Sequence, residues 1–352
     1  MPSPADPLFT PPPPSVTRDG SRLAWAQHAL QDANAQLQRA STDAGFRSYW
    51  RSTGRNGSHI VMDSPPELED PRPWLRTRDL LEAGGVRVPR VLAADAEAGF
   101  LLLEDLGGPT LAQWLSAPGA AAADADVWFD ATVGQLLTLQ AIEPPVYLGA
   151  FDTALLQRDA DLFETWFLRR HLQLELEATE LQALRDVQAR LQQNLLGQAQ
   201  VLTHRDFMPR NLMPVSPGPA VLDFQDSVRG PIAYDPVSLF KDAFLGWPLA
   251  RVDDWLVRYH ARAVQAGLPV PTVASAFLRD ADWCGIQRHL KILGIFARLH
   301  YRDDKPKYLA DAPRFVGYLE EVLPRYAELQ PLTQLLECRI KPAMRVRAAA
   351  TE

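Results

Sequence analysis

Three oxygen-bearing side chains, Asp206, Asn211 and Asp223, stand at spacings suited to moving a phosphoryl group. Residues 201–212 read Val-Leu-Thr-His-Arg-Asp-Phe-Met-Pro-Arg-Asn-Leu, which contains H-R-D-x-x-x-x-N without a departure. Val221-Leu222-Asp223-Phe224 follows after a short turn at Pro217-Gly218-Pro219. Transfer from ATP to a hydroxyl needs a carboxylate that orients the hydroxyl and takes its proton, and it needs oxygen ligands for the Mg²⁺ that neutralises the phosphates. Asp206 suits the first role, Asn211 and Asp223 the second. His204 and Arg205 complete the catalytic segment, with His204 read as a packing and orienting residue that holds backbone carbonyls, not as a base. Taken singly, such residues cap turns or end strands; the ordered set in a strand context points to chemistry.

The elements around these residues must bring them to one place. Five residues from Asp206 to Asn211 allow a tight loop that turns both side chains to one side, and two short apolar strands bring Asp223 alongside. Upstream, Arg22 to Ala40 carries apolar residues near helical spacing and predicts an amphipathic helix. Phe46 to Ser52 and His59 to Met62, joined through Gly54-Arg55-Asn56-Gly57, predict a β-hairpin. Arg72 to Ala83 reads as a helix ended by Gly84-Gly85, followed by strands over Val86 to Ala93 and Phe100 to Leu103. From Leu111 the chain reads as mainly helical outside residues 201–235. The expected division is a disordered Pro-rich arm at 1–20, a smaller lobe at 21–103, a hinge at 104–108, a helical lobe at 109–340 with the catalytic and metal loops, and a tail at 341–352.

Composition narrows the partners. The 352 residues are 47% hydrophobic and 22% charged, enough for a sizeable core. A formal charge of −7 leaves no basic footprint for nucleic acid or an anionic membrane. The first residues, with Pro11 to Pro14 in a row, lack the charged and apolar regions of a secretory signal, and no uninterrupted apolar stretch approaches the ~20 residues a spanning helix needs. Two isolated cysteines, Cys284 and Cys338, make neither a disulfide framework nor a zinc site. The expectation is a soluble, cytoplasmic monomer that binds small molecules.

At the H-R-D-x-x-x-x-N and Leu222-Asp223-Phe224 segments the chain resembles the aminoglycoside phosphotransferase-like branch of the kinase superfamily, over roughly residues 40 to 320. That resemblance implies an α+β, bilobal protein-kinase-like fold, with a small antiparallel sheet lobe and a larger, mainly helical lobe. Gln225 stands where protein kinases have glycine, and no Ala-Pro-Glu segment occurs, so a regulated protein kinase is not expected. Phe207-Met208-Pro209-Arg210-Asn211-Leu212-Met213, Leu239-Phe240-Lys241-Asp242-Ala243-Phe244, Gln287 to Leu299, Ser41 to Tyr49, Val61 to Pro65 and Gly99 to Gly107 resemble the bacterial anomeric kinases of N-acetylmuramate and N-acetylglucosamine. The implied reaction is phosphorylation of the anomeric hydroxyl in cell-wall sugar recycling, with ATP and Mg²⁺.

The chain also departs from the kinase pattern. The third-strand lysine that holds the α- and β-phosphates is missing, since the first lysine of the chain is Lys241. Arg47 and Arg51 are substitute candidates, because a guanidinium fork binds phosphate oxygens in two places; each also reads as an ordinary strand arginine. Only Asp43-Ala44-Gly45 stands for the glycine-rich loop, so the backbone of Ala44, Gly45, Phe46 and Arg47 is the candidate cradle. By resemblance, adenine meets the peptide groups at Glu104 and Leu106. For the sugar, Arg288, Lys291 and Arg298 share a helix face and form a candidate site for the lactyl carboxylate, or else a solvated basic edge. Asp226, Tyr234 and Asp235 either bind sugar hydroxyls or fix the loop and cap the next helix. Two other readings are a kinase of the same fold for an aminoglycoside, choline or amino alcohol, and a catalytically silent nucleotide-binding module.

Overall fold

A computed structural model describes residues 17–41, 46–55, 57–119, 122–216, 218–242 and 245–349. They divide into two compact units, one formed by the chain up to Arg76 with Pro89–Gly107, the other by Thr77–Val88 with residues from Gly108 onward.

The smaller unit opens with α1 (Arg18–Leu30), so residues 18–20, expected in the arm, are helical. The helix predicted to run to Ala40 stops at Leu30. Gln31 adopts a left-handed φ of 52°, and the Gln31 and Asp32 N–H groups return to the His28 and Gln27 carbonyls. The chain then enters β1 (Gln36–Ser41), a polar and mostly exposed edge strand. With β2 (Ser48–Thr53), β3 (His59–Asp63), β4 (Val91–Asp95) and β5 (Phe100–Glu104) it makes a five-stranded sheet of order β1-β2-β3-β5-β4. Each neighbouring pair is antiparallel. The strand predicted from Val86 starts only at Val91; Pro89 cannot donate to a ladder, and the Val86 N–H bonds the Leu81 carbonyl.

Ala26, Leu30, Ala35, Val61 and Leu102 pack between α1 and the sheet. An ion-pair clamp joins the same two elements. Asp63, 2% exposed, accepts from Arg18 at 2.6 Å and from Arg22 at 2.9 Å, and the Arg22 guanidinium lies 3.7 Å from the Trp50 ring centroid. Within α2 (Arg72–Ala83) the chain passes to the larger unit.

The larger unit contains α3 (Leu111–Leu115), α4 (Ala122–Gln140) and α5 (Thr153–Leu162), the last continuing into a π-helical stretch over Phe163–His171. After α6 (Ala178–Gly197) come β6 (Gln200–Thr203), β7 (Leu212–Met213), β8 (Ala220–Val221) and β9 (Val228–Pro231), paired β6 with β9 and β7 with β8. The chain closes with α7 (Tyr234–Phe240), α8 (Leu249–Gln265), α9 (Ala274–Tyr301), α10 (Ala312–Val322), α11 (Gln330–Leu335) and α12 (Lys341–Ala349). Residues 341–349, expected as a tail, are therefore helical.

The 28-residue α9 is the spine of this unit, buried without interruption from Ala281 to Gly294. Leu293 and Phe296 pack with Phe163, Phe167, Leu184 and Phe315 in its main core. The reason α9 comes so close to the end of α5 is Gly294. A Cβ there would lie 2.4 Å from the Leu162 carbonyl carbon. No helix among the described residues is long and apolar enough to cross a membrane.

Candidate active site

The catalytic segment leaves β6 at Thr203, whose partner across the pair is Val228. It immediately adopts an uncommon backbone. Arg205 has φ 75° and Asp223 φ 61°, both left-handed values that cost a non-glycine residue on the order of 1–3 kcal/mol and persist only where neighbours over-determine them. At Arg205 those neighbours are visible on both sides. The Asp235 carboxylate accepts the His204 N–H at 2.7 Å and the Arg205 N–H at 2.9 Å, while the Arg205 carbonyl accepts from Arg288 Nη1 at 3.1 Å.

His204 fixes the segment from within. Its Nε2 lies 2.8 Å from the Leu222 carbonyl, an acceptor, so Nε2 carries the proton; Nδ1 then accepts the Asp206 N–H at 3.3 Å. This tautomer ties the catalytic segment to the strand that delivers Asp223 and leaves no basic nitrogen for proton abstraction. Phe207, fully buried, meets the imidazole edge to face at 5.7 Å.

Asn211 and Asp223 come together through the β7–β8 ladder. Leu212 pairs Val221, the Leu222 N–H bonds the Asn211 carbonyl at 2.8 Å, and Asn211 Nδ2 ends 3.5 Å from Asp223 Oδ2. The same Nδ2 donates to the Asp206 carbonyl at 2.9 Å, and Gln225 Nε2 donates to Asp223 Oδ1 at 2.9 Å. A carboxylate beside an amide oxygen is a donor set for a hard cation that takes its remaining oxygens from phosphates or water. No group of three His, Cys, Asp or Glu side chains able to hold a metal occurs among the described residues.

Asp206 is half exposed, its side chain 48% accessible, and Arg288 Nη2 stands 3.7 Å from its Oδ1. Burial pushes its carboxyl up, but Arg288, then Lys291 and Arg205, outweigh that and hold it below the ordinary carboxylate range. With the tip this accessible, the cations are the decisive influence. Asp235 goes the other way. Fully enclosed, it is raised by burial to about 6 despite the two N–H donors and Arg288.

Arg288 and Lys291 are not the solvated edge of α9. Their side chains are 2% and 9% exposed, and both donate to the Tyr234 hydroxyl, from Arg288 Nη1 at 3.2 Å and from Lys291 Nζ at 2.7 Å. Lys291 also lies 3.8 Å from Asp159 on α5. Tyr234, expected to meet the sugar, is 0% exposed. All three stand behind Asp206, because the face of α9 that carries Arg288 and Lys291 is packed against α7, to which Tyr234 belongs, and α5 rather than turned to water. Arg298, farther along α9, is half-buried and acts electrostatically on Asp303 instead. Asp226 is exposed, 3.4 Å from Gln225 Nε2.

In the smaller unit, Ala44 and Gly45 lie outside the described residues. Phe46 is 63% exposed. Arg47 is buried, its Nε 3.1 Å from Glu69, and Arg51 makes a fork to Asp105 at 2.7 and 3.0 Å with a further bond to the Gly107 carbonyl at 2.9 Å. Glu104 gives its N–H to the Arg90 carbonyl, whereas Leu106 has no hydrogen bond to protein among the described residues. Lys241 of the larger unit is no phosphate ligand. It is buried in an ion pair with Asp282 at 2.8 Å.

Sequence reasoning did not single out Asp159 or the Gln225 bond. Gln225 directly follows Asp-Phe and was open to notice; an aspartate inside α5 carries no local signal of its partner on α9.

The model of a family described as the phosphotransferase enzyme family matches residues 36–273. N-acetylmuramate/N-acetylglucosamine kinase of Pseudomonas aeruginosa is 47% identical over 302 residues, spanning 86% of this chain and 88% of that protein. The protein of the same name from Neisseria meningitidis serogroup B is 43% identical over 314 residues, 89% of this chain and 93% of that one. Among solved structures, choline kinase LicA of Streptococcus pneumoniae superposes with a TM-score of 0.60 at 16% identity, covering 87% of this chain and 100% of its own. ADP-bound aminoglycoside phosphotransferase APH(2'')-Ib gives 0.58 at 13% identity, covering 85% and 97%. These two share the α+β, protein-kinase-like fold.

Proposed function

The chain belongs to the phosphotransferase enzyme family, and we propose that it transfers the γ-phosphoryl of ATP to the anomeric hydroxyl of N-acetylmuramate and N-acetylglucosamine, as a step in cell-wall sugar recycling. The observation that carries this reading is the 43–47% identity, over most of both chains, to relatives that bear that name. The site geometry supports the reaction class. Asp206 presents a carboxylate that its cationic neighbours keep ionised, able to accept a hydrogen bond from the acceptor hydroxyl and aim its oxygen at phosphorus. Phosphoryl transfer has a loose transition state, so orientation matters more than strong basicity, and a depressed carboxylate suffices.

Asn211 and Asp223 would hold Mg²⁺, which when bound supplies neutralisation of phosphate charge. The bond from Gln225 and the ladder around Asn211 fix those two side chains beforehand. For the nucleotide phosphates we favour backbone N–H groups at Phe46 and Arg47, because Glu69 and Asp105 already engage the arginines; the peptide group of Leu106 is the candidate for adenine. Asp226 remains the exposed candidate for a sugar hydroxyl. The lactyl carboxylate is left without Arg288 and Lys291, whose donors face Tyr234. Both cysteines are free thiols, which suits a reducing cytoplasm, where a monomer would act.

Phosphorus NMR of the product tests the acceptor atom. A sugar 1-phosphate is expected from both sugars. A 6-phosphate, or turnover confined to choline or an aminoglycoside in an acceptor panel, overturns the reading while leaving the family untouched.

A further inference from the structure

A buried polar chain runs from α5 through α9 and α7 to the catalytic segment. Its links are Asp159 to Lys291 at 3.8 Å, Lys291 to the Tyr234 hydroxyl at 2.7 Å, Arg288 to that hydroxyl at 3.2 Å, and Arg288 to the Arg205 carbonyl at 3.1 Å. The Tyr234 ring completes the enclosure, 5.3 Å from the Arg288 guanidinium and 5.4 Å from the Lys291 ammonium. Burying two cations side by side is expensive unless each finds acceptors. Here a single phenolic oxygen serves both, and Arg288 Nη1 reaches one further acceptor. That acceptor is the carbonyl of Arg205, whose left-handed φ of 75° aims Asp206.

We propose that Lys291 and Tyr234 are positioning residues for phosphoryl transfer: together they fix Arg288, which pins the strained Arg205 peptide and so sets the direction of Asp206. This inference rests on the kinase reading of the site and reassigns two residues from the acceptor to the machinery behind it. The family match ends at residue 273, before α9 begins at Ala274. The catalytic segment is thus steadied by a helix beyond the matched stretch. Asp235 holds the amide side of Arg205 from α7, so the residue is gripped through the peptide groups on both sides of it, and releasing one grip should misdirect Asp206 without altering what binds.

Tyr234→Phe removes the shared acceptor alone. The expected result is a folded protein whose kcat falls roughly 10- to 100-fold, the cost typical of an ångström-scale misplacement, with KM for ATP and for the sugar within about two-fold of the parent. Because this variant leaves a buried ammonium short of an acceptor, the paired variant Tyr234→Phe with Lys291→Met is made as well, which removes charge and hydroxyl together. Links of one chain do not act independently, so the paired loss should match the larger single loss rather than the product of the two. Lys291→Arg should recover most of the kcat lost in Lys291→Met. An unchanged kcat in the folded paired variant overturns the proposal. So does a ten-fold rise in sugar KM at constant kcat, which would return Lys291 and Tyr234 to the acceptor. Should the parent turn over some other acceptor, or only hydrolyse ATP, the acceptor reading fails by itself, and the same kcat comparison is read on that reaction.

Discussion

The arginines of the two units meet opposite fates. Arg51 in the smaller unit keeps a side chain 40% exposed and closes its fork on Asp105 and the Gly107 carbonyl. Arg288 in the larger unit is sunk in protein, and its donors are aimed at a phenol, a peptide carbonyl and a half-exposed catalytic carboxylate. One guanidinium staples a strand to the segment after β5; the other, on our proposal, holds reacting groups in place. Exposure would suggest the reverse, since the accessible arginine looks available to a phosphate and the buried one looks structural. What decides the role is the partner: a buried cation whose acceptors belong to the catalytic segment transmits order to it, and an exposed cation already matched by a carboxylate has little left to offer an anion.

The largest effect expected on this comparison comes from Asp206 itself. Asp206→Asn keeps the shape but removes the charge that Arg288 faces, and kcat should drop by about 10³-fold or more, roughly 4 kcal/mol of transition-state stabilisation. Near-parental turnover in a steady-state assay of ADP release would remove Asp206 from the mechanism and leave Arg288 with nothing to organise. Next comes the seat of α9. Gly294→Ala places a methyl 2.4 Å from the Leu162 carbonyl carbon, so α9 must shift away from α5. A loss of about 2 kcal/mol in urea unfolding is expected, after allowing for the better helix propensity of alanine. A gain in stability would show the contact to be pliable and the grip on Arg288 correspondingly loose.

Comparable in size is the pH dependence contributed by Asp235. Burial raises its carboxyl to about 6 from an ordinary 3.8, so in that interval the folded protein holds a proton that the unfolded chain releases. The resulting stabilisation is complete below the ordinary value and disappears as pH rises through about 6. Asp235→Asn lacks this titration. The stability of the parent relative to the variant should therefore grow on acidification, by at most about 3 kcal/mol between roughly pH 7.5 and pH 4. A difference that stays flat with pH would mean that the two N–H donors compensate for burial.

How much of this was legible beforehand follows from the range of the interactions. The convergence of Asp206, Asn211 and Asp223 could be read directly, because their spacing is local and a tight loop plus a hairpin leave few ways to arrange them. The sheet of the smaller unit was nearly legible, and β1 was lost inside a predicted helix because Gln36–Ser41 is polar on both faces and carries no alternation. Arg288 and Lys291 were noticed for their charge but assigned to the sugar. Periodicity gives the face of a helix a residue occupies, and it is silent on whether that face is covered by Tyr234 and Asp159, which lie 54 and 128 residues away from Arg288 and Gln287 along the chain. The tie between Arg51 and Asp105 was hidden in the same way, by a separation of 54 residues.

That tie supplies the smallest expected effect and the cleanest separation of the two arginines. Arg51→Met keeps the carbon stem and abolishes the fork. The pair is part-exposed, so solvent screening limits its worth, and a stability loss below about 1 kcal/mol is expected. If backbone groups receive the phosphates, KM for ATP should move by less than about three-fold, since Arg51 would have had to leave Asp105 and Gly107 before reaching an anion. A rise of ten-fold or more in that KM, with kcat unchanged, would mean that the fork does exchange partners when nucleotide arrives. Arg51 would then stand in for the missing strand lysine, and the contrast with Arg288 would become one between an arginine that moves and an arginine that cannot.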